Sequence, residues 1–194
     1  GQELSVKKQL STPHTFVLAQ LNAFNRLIDD WIIWQPLAGT WTPQNLKQVW
    51  SRGLEWNARY TYCKNKWSVS VKTDWSYVLS TNQRANSNTD ATVGKQLIYT
   101  PRLMHQHLIT YMYDKFYVAI NPTYTGYRFT ASDNSTYIND YTTTNVFAGY
   151  GSTLRNIKWQ LRLQLNNCFN QAYQVLPARP MPLSNWQLTF QLTY

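Results

Sequence analysis

The sequence predicts an all-β protein: an antiparallel transmembrane β-barrel with about nine strands in this chain. Three observations carry the prediction. Apolar and polar residues alternate with period two along most of the length, the mark of strands with one oily and one wet face. Charged residues make up only 14% and aromatics reach 15%, where ordinary soluble domains carry roughly 25% charged residues. Tight turns and long polar connections also alternate along the chain. Short links therefore fall at one end of the strands and long loops at the other, as in outer-membrane barrels.

The strands are justified in order. LSVKKQL opens the chain as a first strand, and Val17–Ala23 supplies a second with looser alternation. LEWNARYTY places Leu54, Trp56, Ala58, Tyr60 and Tyr62 on one side and Glu55, Asn57, Arg59 and Thr61 on the other. KWSVSVKTDWSYVL sets Trp67, Val69, Val71, Trp75, Tyr77 and Leu79 against Lys72 and Asp74. Leu108–Tyr113 is mixed on both faces, whereas Phe116, Val118 and Ile120 again share a side. Val146, Ala148 and Tyr150 do the same, as do Trp159, Leu161, Leu163 and Leu165 in KWQLRLQLN. The chain closes on NWQLTFQLTY, with Trp186, Leu188, Phe190, Leu192 and Tyr194 on one face.

CKNK, DK and LRNIK read as tight turns, and LSTPHT as nearly so. Long connections are expected at about Asp29–Lys47, Ser80–His105, Thr130–Tyr141 and Asn167–Asn185. The clearest strands meet the ~9 to 11 residues that a tilted membrane strand needs. Trp and Tyr near strand ends, such as Trp67, Tyr77, Trp186 and Tyr194, suit aromatic girdles at the headgroup level. The longest apolar run is Trp31–Trp34, far below the ~18 to 20 residues of a membrane helix. A helical membrane protein is therefore excluded.

The net charge of +9 fits attraction to anionic surfaces such as lipid headgroups or lipopolysaccharide. The basic residues are scattered and form no nucleic-acid signature. No nucleophile–base arrangement is visible among nine carboxylates and three His, so no enzyme activity and no cofactor are expected. The chain begins GQELS with no signal-peptide pattern, as a mature product or a piece of a longer chain would.

Several stretches, taken together, resemble the TonB-dependent outer-membrane receptors. AFNRLIDDWIIWQPLAGTWTPQNLKQVWSRGLEWNARY resembles a strand–loop–strand unit of that family, with its "G-hydrophobic-E" strand at Gly53-Leu54-Glu55. YTPRLMHQHLITYMY is similar to a strand entry, and Tyr124–Tyr150 to the loop-and-strand unit after it. The ending matches through Asn167, Phe169, Tyr173, Pro180-Met181-Pro182 and the terminal aromatic. Leu183-Ser184-Asn185 stands where the family often has Gly-Arg, and Cys168 where an aliphatic residue is common.

The resemblance implies import of a scarce nutrient of the cobalamin, siderophore or haem class across the outer membrane of a Gram-negative bacterium. The fold it implies is a plug followed by a 22-stranded barrel. No plug segment is found in this sequence, and an odd strand count does not match the even number of bacterial single-chain barrels. Residues 1–194 are therefore read as the C-terminal portion of a larger barrel. The alternative is that the first segment is not a strand and eight strands close as a small structural or adhesive barrel. A soluble lectin-like sandwich is a further alternative. Implied partners are outer-membrane lipid and lipopolysaccharide, TonB through a plug outside this chain, the barrel assembly machinery and a surface lipoprotein.

Candidate substrate contacts are Trp31, Trp34 and Trp41 in an expected loop, with Tyr173, Arg179 and Met181 in the last one. Aromatic rings there suit stacking on a planar or apolar ligand, or simply packing of the loop. Arg59, Lys72 and Arg162 form a potential basic stripe on the wet face. His105 and His107 share one face of a strand, but two imidazoles make an incomplete metal site. Trp186, Leu188, Phe190, Leu192 and Tyr194 resemble the terminal signal that assembly machinery reads. Cys63 and Cys168 are expected at opposite ends of the barrel, too far apart for a disulfide.

Overall fold

The structure is a computed structural model. It describes residues 1–37, 39–85 and 87–193, leaving aside the side chains of 35–37 and 47. No helix occurs among the described residues. The strands are β1 Gln2–Ser11, β2 Thr15–Leu37, β3 Thr40–Lys64, β4 Trp67–Asn82, β5 Leu103–Tyr113, β6 Phe116–Thr125, β7 Arg128–Phe129, β8 Tyr137–Ile138, β9 Tyr141–Leu154, β10 Ile157–Asn166, β11 Gln174–Leu176, β12 Arg179–Pro180 and β13 Asn185–Thr193. Nine of them make one sheet in the order β1-β2-β3-β4-β5-β6-β9-β10-β13. Every neighbouring pair in it is antiparallel.

The sheet is an up-and-down meander: each strand pairs antiparallel with the sheet strand that follows it in the chain, through tight turns at one end and long loops at the other. Residues 12–14, 65–66, 114–115 and 155–156 make the tight turns at one end. Asn65, Asp114 and Arg155 take positive φ there, and Asn and Asp tolerate that conformation best among residues with a side chain. At the other end residues 83–102, 126–140 and 167–184 form the long connections. The last two carry the small ribbons β7–β8 and β11–β12.

The first expected loop is not a loop. Residues 29–37 and 40–47 continue β2 and β3 as a two-stranded ribbon, in one constant register from Thr15↔Tyr62 to Leu37↔Thr40. The segment carries Pro36 and Pro43, which a central strand would reject. They are tolerated because the ribbon has outgrown its neighbours: β1 reaches only to Asn25 and β4 only to Val49.

The eight-stranded closure does not form either. β1 is paired along its whole length with β2, and the order begins at β1 and stops at β13 with no link between the two. The chain thus supplies an open wall of nine strands.

Register gives that wall two faces of opposite chemistry. One row runs Leu4–Ala23–Leu54–Tyr77–Leu103 across five strands. Another runs Tyr111–Val118–Ala148–Leu163–Leu188 across five. The opposite face presents Gln20–Asn57–Asp74–Gln106–Thr123–Thr143. The apolar face is uncovered: Leu4 is 65% exposed, Leu54 53%, Leu188 56% and Phe190 59%. A sandwich would bury these side chains under a second layer, and none lies over them. An uncovered apolar surface of this size marks a membrane or partner interface.

The buried apolar cluster is small and sits at the loop end, where Leu97 of the 83–102 loop packs with Leu46 and Val49 of β3 and Ile33 of β2. On the polar face two glycines lie beside aromatic rings of the adjoining strand, Gly53 under Phe24 and Gly149 under Tyr117. A ring lying over a strand glycine restores the packing the missing side chain gives up. A Cβ at Gly53 would collide with the backbone carbonyl of Tyr77, whereas one at Gly149 meets only the Tyr117 ring. Gly53→Ala is therefore expected to cost about 1–3 kcal/mol as an overpacked site, and Gly149→Ala less. Urea-unfolding midpoints of the two variants check the order.

Candidate functional site

The loop end is the most organised surface of the wall. It is held by buried amides as well as by the Leu46–Val49–Leu97 cluster. Gln96 is 2% exposed. Its side chain accepts from the Ser80 N–H at 3.0 Å. Its own N–H donates to Asn134 Oδ1 at 2.9 Å, and its carbonyl accepts from Asn134 Nδ2 at 2.9 Å. Asn134, at positive φ, thus imitates a strand neighbour and ties the 83–102 loop to the 126–140 loop. Asn167 plays a similar part in the third loop: its side chain accepts from the Gln171 N–H at 2.9 Å and donates to the Gln171 carbonyl at 2.8 Å. Buried amides satisfied in this way define one arrangement of the loops.

Arg128 joins the second loop to the third. It is 4% exposed, donates from Nη2 to the Gln174 carbonyl at 2.8 Å, and lies 5.1 Å from the Tyr141 ring centre. Its Nε finds no partner. Tyr141 in turn packs on Tyr173 with ring centres 4.4 Å apart. Beside this column opens a cleft of about 390 Å³, lined by Tyr137, Asp140, Tyr141, Tyr173, Gln174 and their neighbours. Phenol hydroxyls and one carboxylate line the cleft and offer a ligand both stacking surface and polar contacts, while the buried Arg128 guanidinium supports Tyr141 from behind.

Of the residues expected from sequence, Tyr173 falls in this cleft. Arg179 opens β12, exposed, opposite Leu176. The three tryptophans are elsewhere, on the β2–β3 ribbon: Trp31 opposite Leu46, Trp34 opposite Pro43 and Trp41 opposite Pro36. They are 38%, 58% and 43% exposed. Trp41 alone of the three has an aromatic partner among the described residues, Tyr99 at 5.5 Å. Arg128, Asp140 and Tyr141 were missed. One signal was available, since Arg128 is the lone charged residue between Lys115 and Asp133.

The two histidines lie on the apolar face in an aromatic row. The rings of Trp56, Trp75, His105 and Tyr124 follow one another across four strands, with centres 6.5, 4.3 and 5.0 Å apart. His105 and His107 are 5.3 Å apart. No group of three potential metal ligands occurs among the described residues.

The basic stripe does not assemble as one patch. Arg59 stands directly opposite Lys72, whereas Arg162 lies four strands away on β10, bonded to Gln164 Oε1 and over Phe147. Trp186, Leu188, Phe190 and Leu192 all project from the apolar face of the edge strand β13. Tyr194 lies outside the described residues. Cys63 is next to the last residue of β3 at the tight-turn end, and Cys168 follows β10 at the loop end.

A family model described as TonB dependent receptor-like, beta-barrel matches residues 1–168. Solved structures show the same fold. The ferric preacinetobactin receptor BauA from Acinetobacter baumannii aligns over 97% of this chain and 28% of its own, with a TM-score of 0.71 and 12% identity. The ferric yersiniabactin uptake receptor FyuA from Yersinia pestis aligns over 96% and 27%, with a TM-score of 0.62 and 14% identity. The copper transporter OprC aligns over 98% and 31%, with a TM-score of 0.65 and 14% identity. The chain thus spans about three tenths of the length of these structures. Among curated proteins none gives a significant match.

The loop cluster has a pH signature. Burial, and next the neighbouring Tyr141, holds the Tyr173 phenol above its ordinary range. Burial does the same to Tyr99. Both groups are neutral in the folded and unfolded chain below about pH 10, so they add no pH dependence there. As pH rises past that value the unfolded chain ionises first, and loop stability is lost until the folded phenols ionise too. Protease cleavage within residues 167–184 is expected to quicken as pH rises past about 10. Tyr173→Phe should flatten that rise.

Proposed function

The chain belongs to the TonB-dependent receptor-like β-barrel family, and from that premise we propose that it forms nine wall strands of an outer-membrane importer of a scarce nutrient. Residues 1–194 act as the C-terminal part of the barrel, in the outer membrane of a Gram-negative bacterium. The energy comes through TonB acting on a plug outside this chain. The apolar face meets lipid and the polar face lines the lumen. The uncovered leucines and aromatics of the apolar face carry this reading, because hydrocarbon stabilises such a surface and water does not.

On β3 the apolar face runs from Leu54 to Tyr62 without a charge, bracketed by Arg52 and Lys64. Twelve residues at about 3.4 Å each, tilted by about 40°, rise roughly 30 Å, close to the ~30 Å of a hydrocarbon core. Between those two levels the apolar face carries one other Lys, Arg, Asp or Glu, namely Lys8, three residues from the end of β1 at the tight-turn end. In register it stands across from Ala19 and Ala58, so its ammonium has to snorkel along the tilted strand toward the tight-turn headgroups. Aromatic rows lie near both limits, Trp56, Trp75 and Tyr124 toward the loops and Tyr62, Trp67, Tyr113 and Tyr150 toward the turns.

The substrate class that best fits is a siderophore-type chelate, with cobalamin and haem as the other members of the range. BauA and FyuA are receptors for ferric preacinetobactin and ferric yersiniabactin by their own descriptions, and the tyrosine cleft beside Arg128 offers stacking and hydrogen bonds at the mouth. Trp31, Trp34, Trp41 and Arg179 are further contacts around that mouth. A surface lipoprotein and the assembly machinery complete the expected partners, the latter reading Trp186, Leu188, Phe190, Leu192 and Tyr194.

Two measurements test this. Growth of a receptor-deficient, iron-limited strain on ferric siderophores should be restored by the receptor that carries this chain and lost again without TonB. TonB-independent growth would overturn the energy source. Deleting Leu192–Tyr194 should sharply reduce the heat-modifiable, membrane-inserted form. Unchanged insertion would remove the terminal strand from the assembly signal.

A further inference from the structure

We propose that Arg52 anchors a binding site for a lipid phosphate on the apolar face, at the level where the wall leaves the hydrocarbon on its loop side. The proposal rests on the membrane reading above and adds to it a ligand and a residue.

Arg52 shares its face with Leu54 and Trp56, two and four residues further along β3. A cation deep on that face would cost ~2 to 4 kcal/mol, falling to about zero or one near the interface. Arg52 stands at that boundary and is held there rather than loose. Its Cζ lies 3.7 Å from the Trp50 ring centre, and Nη1 donates to Thr81 Oγ1 at 3.1 Å. The Trp50 indole N–H is itself tied to Asn25 Oδ1, directly opposite Arg52 in the register. Stacking and two hydrogen bonds from Nη1, the second to the Trp50 carbonyl at 3.5 Å, fix the guanidinium plane but leave Nε and both Nη2 hydrogens for another acceptor.

No salt bridge from Arg52 to a carboxylate occurs among the described residues. The salt bridge among the described residues joins Arg26 to Glu3. The acid that shares the apolar face near Arg52 is Asp29, four residues further along β2 than Asn25, or about 13 Å, and it accepts from Gln48 Nε2 at 2.8 Å. A fixed, uncompensated guanidinium at headgroup height matches the oxygens of a phosphate, which accept paired N–H donors from one arginine. The exposed amide of Asn25 supplies a second donor beside it. Two sources present that chemistry from a bilayer, a phosphorylated glycolipid and an anionic phospholipid.

The test uses the purified receptor that carries this chain, stripped of lipid and offered three probes: bisphosphorylated lipid A, its dephosphorylated form and phosphatidylglycerol. Retention is read by native mass spectrometry after heat-modifiable mobility confirms the folded barrel. Arg52→Gln is expected to lower retention of bisphosphorylated lipid A about tenfold, with Arg52→Lys in between. Arg155→Gln, which removes a cation at the opposite end, should leave it unchanged. Arg52-dependent retention of phosphatidylglycerol in place of lipid A would support the site and assign the phospholipid as its occupant. Equal retention by Arg52→Gln in a folded barrel, or equal retention of the dephosphorylated probe, overturns the lipid-phosphate site alone. A wild-type receptor that does not insert overturns it together with the membrane reading.

Discussion

The wall is organised by one constraint: a continuous face of leucine, tryptophan and tyrosine that nothing among the described residues covers. Such a face is unstable against water and stable against hydrocarbon, and hydrocarbon then dictates the backbone. In a medium that offers no hydrogen bonds, every N–H and C=O must be paired within the protein, so spanning strands lie side by side in a sheet that ultimately closes. The meander with tight turns is the simplest such sheet. The family's barrels meet the same requirement, which is why a chain only 12% identical to BauA superposes on it with a TM-score of 0.71.

The alternation made the fold legible. All nine sheet strands were expected from the sequence, most of them from clear period two, although Val17–Ala23 alternated loosely and Leu108–Tyr113 was mixed on both faces; β2 and β3 run well past their expected loop-side ends at Ala23 and Leu54, to Leu37 and Thr40. The β2–β3 ribbon was not legible, because Asp29-Asp30, Pro36, Gly39 and Pro43 carry the chemistry of a turn. Its strand character comes from mutual pairing beyond the reach of β1 and β4, where a proline has no outer partner to disappoint. A one-dimensional pattern holds no record of how far each neighbour extends.

The site was less legible for a related reason. Trp31, Trp34 and Trp41 stand out as residue types, yet the ribbon holds them apart from the tyrosine cleft. Tyr141, Tyr173 and Arg128 come together only through two loops closed by amides, Asn134 on Gln96 and Asn167 on Gln171. Those amides look like ordinary loop residues in sequence. The His105–Trp75–Tyr124 stack follows from register alone, which the sequence implies only after each turn length is known.

The two faces treat charge in opposite ways. On the apolar face of β3 the charges stand only at the two ends of the Leu54–Tyr62 stretch, at Arg52 and Lys64, and on the proposed membrane reading Lys8 has to snorkel. On the polar face Arg59 stands directly across from Lys72, an arrangement that costs a few tenths of a kcal/mol or more where nothing screens it. Glu55 and Asp74 lie on the same face nearby. Neither cation forms a salt bridge with them among the described residues. A face that tolerates like charges in direct register is one bathed by water or met by groups from beyond this chain. The asymmetry between the faces therefore assigns lipid to one and an aqueous or protein-filled interior to the other, from electrostatics alone and independently of hydropathy.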